Sequence, residues 1–260
     1  MEVFAVPGLP EIREGDDLAA LVAERVDLRP DDAVCVASTV VSKAEGRGAA
    51  LDDFPASERA HDIARRLSDL AGEEKDPRFA QAILEESEEV LLEAPFVLAV
   101  TRFGHITVNA GIDQSNVPDH DLLLLPEDPT ASAEALSASL GCPVVVTDTS
   151  GRPFRHGQRG VALGWAGMPA ARDWRGEYDR DGRELGVTVQ AIVDELAAAA
   201  NLVTGEGDGG TPVAVVRGFE FGDHEGSDLL FRSADRDVVR SALCDWTWTP
   251  DHTNHHEDED

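Results

Sequence analysis

Lysine is almost missing from this 260-residue chain: Lys43 and Lys75 stand against 20 Arg and 51 Asp plus Glu, for a net charge of −29. That balance excludes general nucleic-acid binding, which needs basic patches to neutralise phosphates. Cysteine is scarce and odd in number (Cys35, Cys142 and Cys244), with no Cys-x-x-Cys pair, which excludes a disulfide framework. No His or Cys cluster has zinc spacing either. Cys35 and Cys142 lie in or beside strand-like runs and read as small buried hydrophobes. No stretch approaches the ~18 continuous apolar residues of a membrane span. The N-terminus has neither the basic start nor the apolar run of a signal peptide. The expectation is a cytoplasmic protein that binds neither nucleic acid nor membrane. Aromatic residues make up only 5% of the chain, so no stacking pair stands out, and Trp165 and Trp174 read as packing residues.

What is present in excess is acid. A Lys-poor surface rich in Asp and Glu keeps a protein soluble at molar salt, where the Debye length shrinks to about 3 Å. We read it as adaptation to a high-salt cytoplasm; the alternative is an acidic face for a basic partner. A hydrophobic content of 42% is enough for a sizeable core, in one large domain or two small ones. The expected division is one domain over residues 1–249 and a disordered tail over 250–260, rich in acids and carrying His252, His255 and His256.

Apolar periodicity organises the rest. Helices are expected over 16–26, 57–70 with Ser57 as N-cap, 76–92, 131–140, 191–201 and 234–243. Strands are expected over 33–37, 96–100, 105–108, 122–125, 143–146 and 212–216, with β-like character at 187–190 and an extended start from Val3 to Ile12. The two kinds are intermixed without strict alternation, so the fold class is α+β, mixed sheets with flanking helices.

Four segments carry chemistry. A strand runs into Ser38-Thr39-Val40-Val41-Ser42-Lys43-Ala44-Glu45-Gly46-Arg47, where a compact ammonium beside hydroxyls suits a triphosphate; the spacing is not that of a Walker A loop, and an exposed surface lysine is the plain alternative. The run ending in Val108-Asn109-Ala110-Gly111-Ile112-Asp113-Gln114-Ser115-Asn116 puts a carboxylate, amides and a hydroxyl in one turn, which turn chemistry alone also explains. Pro143-Val144-Val145-Val146 ends in Thr147-Asp148-Thr149, backed by Arg152 and Arg155. After the Ala-rich helix comes Thr204-Gly205-Glu206-Gly207-Asp208-Gly209-Gly210-Thr211, whose glycines permit a phosphate cradle or simply a helix cap and linker. Asp113, Asp148 and Glu206, each at the end of an element, fit a two-metal site that clamps a transferring phosphoryl group. Oxygen ligands of this kind favour Mg²⁺ or Mn²⁺.

In this order the four segments closely resemble the coenzyme F420-0:L-glutamate ligase family, from about Phe4 to about Leu243. The resemblance also takes in Gly8-Leu9-Pro10 and Gly182-Arg183-Glu184-Leu185. One departure is Glu11, where family members often carry an aliphatic residue; a backbone contact survives that change. The resemblance implies an intertwined homodimer and a GTP-dependent ligase that adds L-glutamate to F420-0 in γ-glutamyl amide linkage through an acyl phosphate, releasing GDP and phosphate. By matching positions, Asp113, Asp148, Thr149 and Glu206 would ligate the divalent metal, with K⁺ as a further cation. Leu9, Pro10, Glu11, Ile12, Ser38, Thr39, Lys43, Asn116 and the loop Thr204, Gly205, Glu206, Gly207, Asp208, Gly209, Gly210 and Thr211 would contact GTP. Lys43, Asp113 and Asp148 would act in catalysis. The chain ends too early for the flavin-binding domain that some members carry, so only ligase activity is expected. Arg152, Arg155 and Arg183 are candidates for substrate phosphate or carboxylates, with surface salt bridges as the alternative. Competing readings are a metal-dependent phosphohydrolase, a ligase for another acceptor, and a nucleotide sensor without turnover.

Overall fold

The computed structural model describes residues 1–114, 117, 119–207, 209–244 and 246. Asn116, Asp208 and the expected tail therefore lie outside the described residues. The first half of the chain forms β1 (Glu2–Ala5), α1 (Leu18–Ala23), β2 (Ala33–Ala37), α2 (Ser38–Ala44), β3 (Gly48–Ala49), α3 (Glu58–Ala71), α4 (Pro77–Glu85), β4 (Ser87–Leu92), β5 (Leu98–Thr101) and β6 (Ile106–Val108). The second half forms β7 (Leu122–Leu123), α5 (Pro129–Leu140), β8 (Val144–Ser150), β9 (Arg159–Ala166), β10 (Ala171–Asp173), β11 (Val189–Ala191), α6 (Ile192–Thr204), β12 (Val213–Arg217), β13 (Glu225–Ser227) and α7 (Val238–Cys244). This is the mixed α+β class that the intermixed periodicities predict. The chain divides into two compact units, one of residues 1–48 and 123–230, the other of 49–122 with the described residues from Phe231 on.

The first unit is built on a five-stranded sheet in the order β1-β12-β2-β8-β9. Only β2 and β8 run parallel, with Val34 opposite Val144 and Ala37 opposite Thr147. Both faces of this sheet are covered, which is why its central strands read as unbroken apolar runs. Val34, Val36, Val144, Val146, Val213 and Val215 face one layer with α1, α2 and α5. Ala33, Cys35, Val145, Ala214 and Val216 alternate to the other face, where Ile192, Val193, Leu196 and Ala200 of α6 cover them. Cys35 and Cys142 are buried as expected, and burial pushes the Cys35 thiol up to about 12. A small three-stranded sheet, β11-β10-β13, completes the unit.

One bulge sets the layer spacing. In β9 the register slips so that Val146 pairs with Gly164 but Thr147 with Ala162, leaving Leu163 as the extra residue. The slip turns the two glycines of β9 to opposite faces. A Cβ on Gly164 would stand 2.2 Å from the Pro129 carbonyl carbon of α5, and one on Gly160 would stand 2.3 Å from the Ala197 carbonyl oxygen of α6. Helices on both sides thus approach this strand at backbone distance, which only glycine allows.

The second unit holds α3, α4 and the three-stranded antiparallel sheet β4-β5-β6. Ser57 caps α3 as expected, its Oγ accepting from the Ala60 N–H at 3.2 Å. The single helix expected over 76–92 is corrected: α4 stops at Glu85 and Ser87–Leu92 is a strand paired with β5. The Ser87 hydroxyl donates to the Ile83 carbonyl at the helix end, and the Val-Leu-Leu run finds a strand partner that periodicity within one segment does not register. At the C-terminal side, the helix expected over 234–243 is a short turn, Ala234–Arg236, followed by α7. No helix among the described residues is long and apolar enough to cross a membrane.

Candidate functional site

The parallel pair β2 and β8 ends on one edge of the first unit's sheet, and the predicted hydroxyls and carboxylate stand on those ends. Ser38 follows the last residue of β2 and opens α2; it is buried, as is Ser42 one turn on. Thr147, Asp148 and Thr149 lie in the second half of β8, just before its last residue Ser150. Strand alternation divides this edge into two faces. Thr149 pairs with Gly160, on the side where α6 lies, and Asp148, one residue back, belongs to the opposite side with α2 and α5.

On the α6 side three groups meet. The Thr149 hydroxyl donates to Glu206 Oε1 at 3.0 Å. Asn201 Nδ2 donates to the same oxygen at 2.6 Å and stands 3.5 Å from Thr149 Oγ1. Close packing at Gly160 brings α6 against β9; α6 ends at Thr204, three residues after Asn201, and Gly205, with a φ of +70°, turns the chain so that Glu206 comes back over the helix end. The loop closes on itself where the Thr211 hydroxyl reaches the Thr204 carbonyl at 3.4 Å. Thr149 and Glu206, expected to share a ligand, are therefore together. Asn201 escaped the sequence reading: an Asn in an Ala-rich helix carries no motif, and its role comes from the close β9–α6 approach.

On the other side Lys43 projects from α2. Its Nζ donates to Glu11 Oε1 at 2.6 Å, with the lysine mostly covered and the glutamate exposed. Glu11 belongs to the segment Leu9–Ile12, anchored by buried Ile12 and half-buried Leu9. The structure thus gives a side-chain role to the one position where the motif departs from the expected pattern. A phosphate meeting Lys43 would share that ammonium with a carboxylate.

Asp113 lies in the second unit. One extended residue, Ile112, separates it from three consecutive residues with positive φ, Asn109 (φ 54°), Ala110 (φ 53°) and Gly111 (φ 70°). Asn and Gly tolerate this region and Ala does not without strain, and such strain gathers at functional turns. Ala110 and Ile112 are buried on either side of Gly111, which fixes the turn and half-buries Asp113. Arg183 sits at the tip of a hairpin between β10 and β11, its N–H donating to Asp179 Oδ1 at 2.8 Å. Arg152 and Arg155 are exposed on the loop between β8 and β9.

The sequence profile of the F420-0:Gamma-glutamyl ligase family matches residues 8–218. The chain belongs to this family. Among its relatives are proteins named coenzyme F420:L-glutamate ligase from Natronomonas pharaonis, 74% identical over 248 residues, and Halorubrum lacusprofundi, 71% identical over 249. These cover 95% of this chain and 98% and 99% of the relatives. A relative of the same name from Archaeoglobus fulgidus is 49% identical over 249 residues, covering 94% of this chain and 98% of its own length. Several of the relatives come from halophilic archaea, in keeping with the acidic surface.

For a member of the F420-0:gamma-glutamyl ligase family the donor chemistry at the β8–α6 edge is pertinent. Thr149 and Glu206, which meet there, offer oxygen only, which suits a hard cation, whereas Asp148 stands on the opposite face of the sheet. Among the described residues no three His, Cys, Asp or Glu side chains stand close enough together to hold a metal ion. Mg²⁺ asks for less than that: one or two carboxylates, with water and substrate phosphates filling the other positions. One carboxylate and one hydroxyl, Glu206 and Thr149, fit that mode of binding.

Proposed function

We propose that this chain ligates L-glutamate to coenzyme F420-0 at the expense of GTP, in the biosynthesis of coenzyme F420. The observation that carries the reading is the family match over residues 8–218, which spans Ser38–Lys43, Asp113, Asp148–Thr149 and Glu206. A free carboxylate is a poor acyl donor, because its leaving group would be oxide. Transfer of the γ-phosphoryl group of GTP to the acceptor carboxylate makes an acyl phosphate and GDP. The α-amine of glutamate then attacks the acyl carbon, loses a proton, and the amide forms as inorganic phosphate leaves. Such chemistry depends mainly on alignment and on charge neutralisation.

The residues have distinct tasks in this proposal. Lys43 offsets charge on the phosphates from the α2 side, with Ser38, Thr39 and the Leu9–Ile12 segment contacting the nucleotide. Glu206 and Thr149 hold a divalent cation, Mg²⁺ or Mn²⁺, on the α6 side, and Asp148 offers a carboxylate on the other. Asp113 is proposed as a further ligand on the strength of the family resemblance. The divalent cations supply charge neutralisation on the phosphates when bound. A homodimer, a K⁺ requirement and a high-salt cytoplasmic setting belong to the same proposal.

The test is incubation at molar KCl with F420-0, GTP, L-glutamate and Mn²⁺, read by mass spectrometry. A product heavier by one or more glutamyl units, absent without GTP and absent in Asp113→Asn, is the expected result. GTP hydrolysis without glutamylation overturns the reading in favour of a phosphohydrolase or another acceptor. Nucleotide binding without any turnover favours a sensor.

A further inference from the structure

The loop between β8 and β9 spends unusual resources on its own exposure. Residues 151–159 carry three Arg and a His and no carboxylate, in a chain where acids outnumber bases by 29. Phe154 at the loop's centre is 98% exposed. Its φ is +67°, a region that a bulky side chain avoids. Neither packing nor turn chemistry asks for a phenylalanine there; Gly or Asn would make the same turn without strain. Arg159, at the base of the loop, has its own acid in Asp194 at 3.8 Å, whereas Arg152, Arg155 and His156 stand in solvent. The loop starts two residues after Thr149, the residue bonded to Glu206.

We infer that this loop is the acceptor-binding element, with Phe154 stacking on a flat conjugated ring and Arg152 and Arg155 pairing with the anionic groups attached to it. This rests on the proposed reading, in which the acceptor is F420-0, a deazaflavin with a phosphate-linked arm that ends in the reacting carboxylate. An exposed ring offers a face to another π system and the arginine forks fit phosphate and carboxylate oxygens. A positively charged loop on an otherwise acidic molecule also favours the approach of an anionic acceptor.

Binding of F420-0 to the full-length chain at molar KCl, without GTP or glutamate, tests the assignment by fluorescence titration. Phe154→Ala is expected to weaken binding about tenfold or more, the range seen for loss of an aromatic stacking partner, and Phe154→Tyr to stay within about twofold of wild type. Phe154→Gly is expected to weaken binding as Ala does while raising Tm, because it releases the left-handed strain. The KM for GTP should stay within about twofold in all three. Wild-type turnover of F420-0 with unchanged affinity in Phe154→Ala overturns the loop assignment alone. A wild-type chain that neither binds nor glutamylates F420-0 overturns the underlying reading and the loop with it. Conversion of an oligomer to a monomer by Phe154→Ala in sedimentation, at unchanged F420-0 affinity, overturns the assignment in favour of a second copy of the chain covering Phe154.

Discussion

At the scale of single residues, Glu206 is held by two donors on one oxygen, Thr149 Oγ1 and Asn201 Nδ2. Asn201 is thus a positioning residue for a carboxylate proposed to bind metal, and removal of such a partner typically costs 10–100-fold in metal affinity or activity. Asn201→Ala should raise the Mn²⁺ concentration needed for half-maximal activity by about that factor. The Tm measured with chelator should move by only a few degrees, since one half-exposed hydrogen bond is worth about 1 kcal/mol. A Tm loss large enough to explain the activity would reduce Asn201 to a packing role. His105 offers a second residue-scale test. It is buried, its Nε2 has no partner among the described residues, and burial pushes its pKa down to about 4. Between that value and the unfolded value of about 6.5 the unfolded chain binds the proton and the folded chain does not. The cost of burying His105 therefore grows as pH falls from 6.5 to 4 and is constant below. His105→Leu should flatten the pH dependence of unfolding free energy in that window by up to about 3 kcal/mol. Equal slopes in wild type and variant would show that His105 finds a proton-compatible setting.

At the scale of elements, β9 is where the layers are most demanding. Gly164 faces the α5 backbone at a distance that no β-carbon tolerates. Gly164→Ala must push α5 away or bend β9, and overpacking of this kind costs about 1–3 kcal/mol or more. We expect Tm to fall by several degrees at molar salt, whereas Gly186→Ala, where a Cβ would meet nothing within 4 Å, should leave it unchanged. A Gly164→Ala variant as stable as wild type would mean that the layers slide freely. The same elements show what was legible in the sequence. β2 and β8 stood out because both faces are buried, so the runs Ala33–Ala37 and Val144–Val146 are apolar without interruption. Thr149 and Glu206 stood out because turn-type and acidic residues follow buried runs directly. The boundary inside 76–92 did not, since the strand character of Ser87–Leu92 depends on pairing with Leu98–Thr101. Asn201 and the bulge at Leu163 were equally hidden: both are consequences of how β9 meets α5 and α6, and nothing local in the chain records them.

At the scale of the whole molecule, charge dominates. If all 22 Lys and Arg paired with acids, 29 carboxylates would still lack a partner. The pairs that do form are mostly exposed: Arg59 and Arg66 share Glu93, and Arg78 bridges Asp52 and Asp76. Exposed pairs contribute little each, about 0–1 kcal/mol, and molar salt screens them further. Salt therefore acts on this protein mainly by relieving repulsion among the surplus acids. The Debye length is about 3 Å at 1 M and about 30 Å at 0.01 M, so on dilution each carboxylate begins to feel many others across the surface. We expect a Tm that falls continuously from molar to decimolar KCl and loss of far-UV circular dichroism near 10 mM. Screening alone predicts that NaCl and KCl behave alike at equal ionic strength, and that a variant with several exposed Glu replaced by Gln needs less salt. A Tm that is flat from molar to millimolar salt would refute the reading of the acidic surface. A Tm that follows K⁺ but not Na⁺ would point instead to a specific cation site, and the Glu→Gln variant would then keep the salt requirement of the wild type.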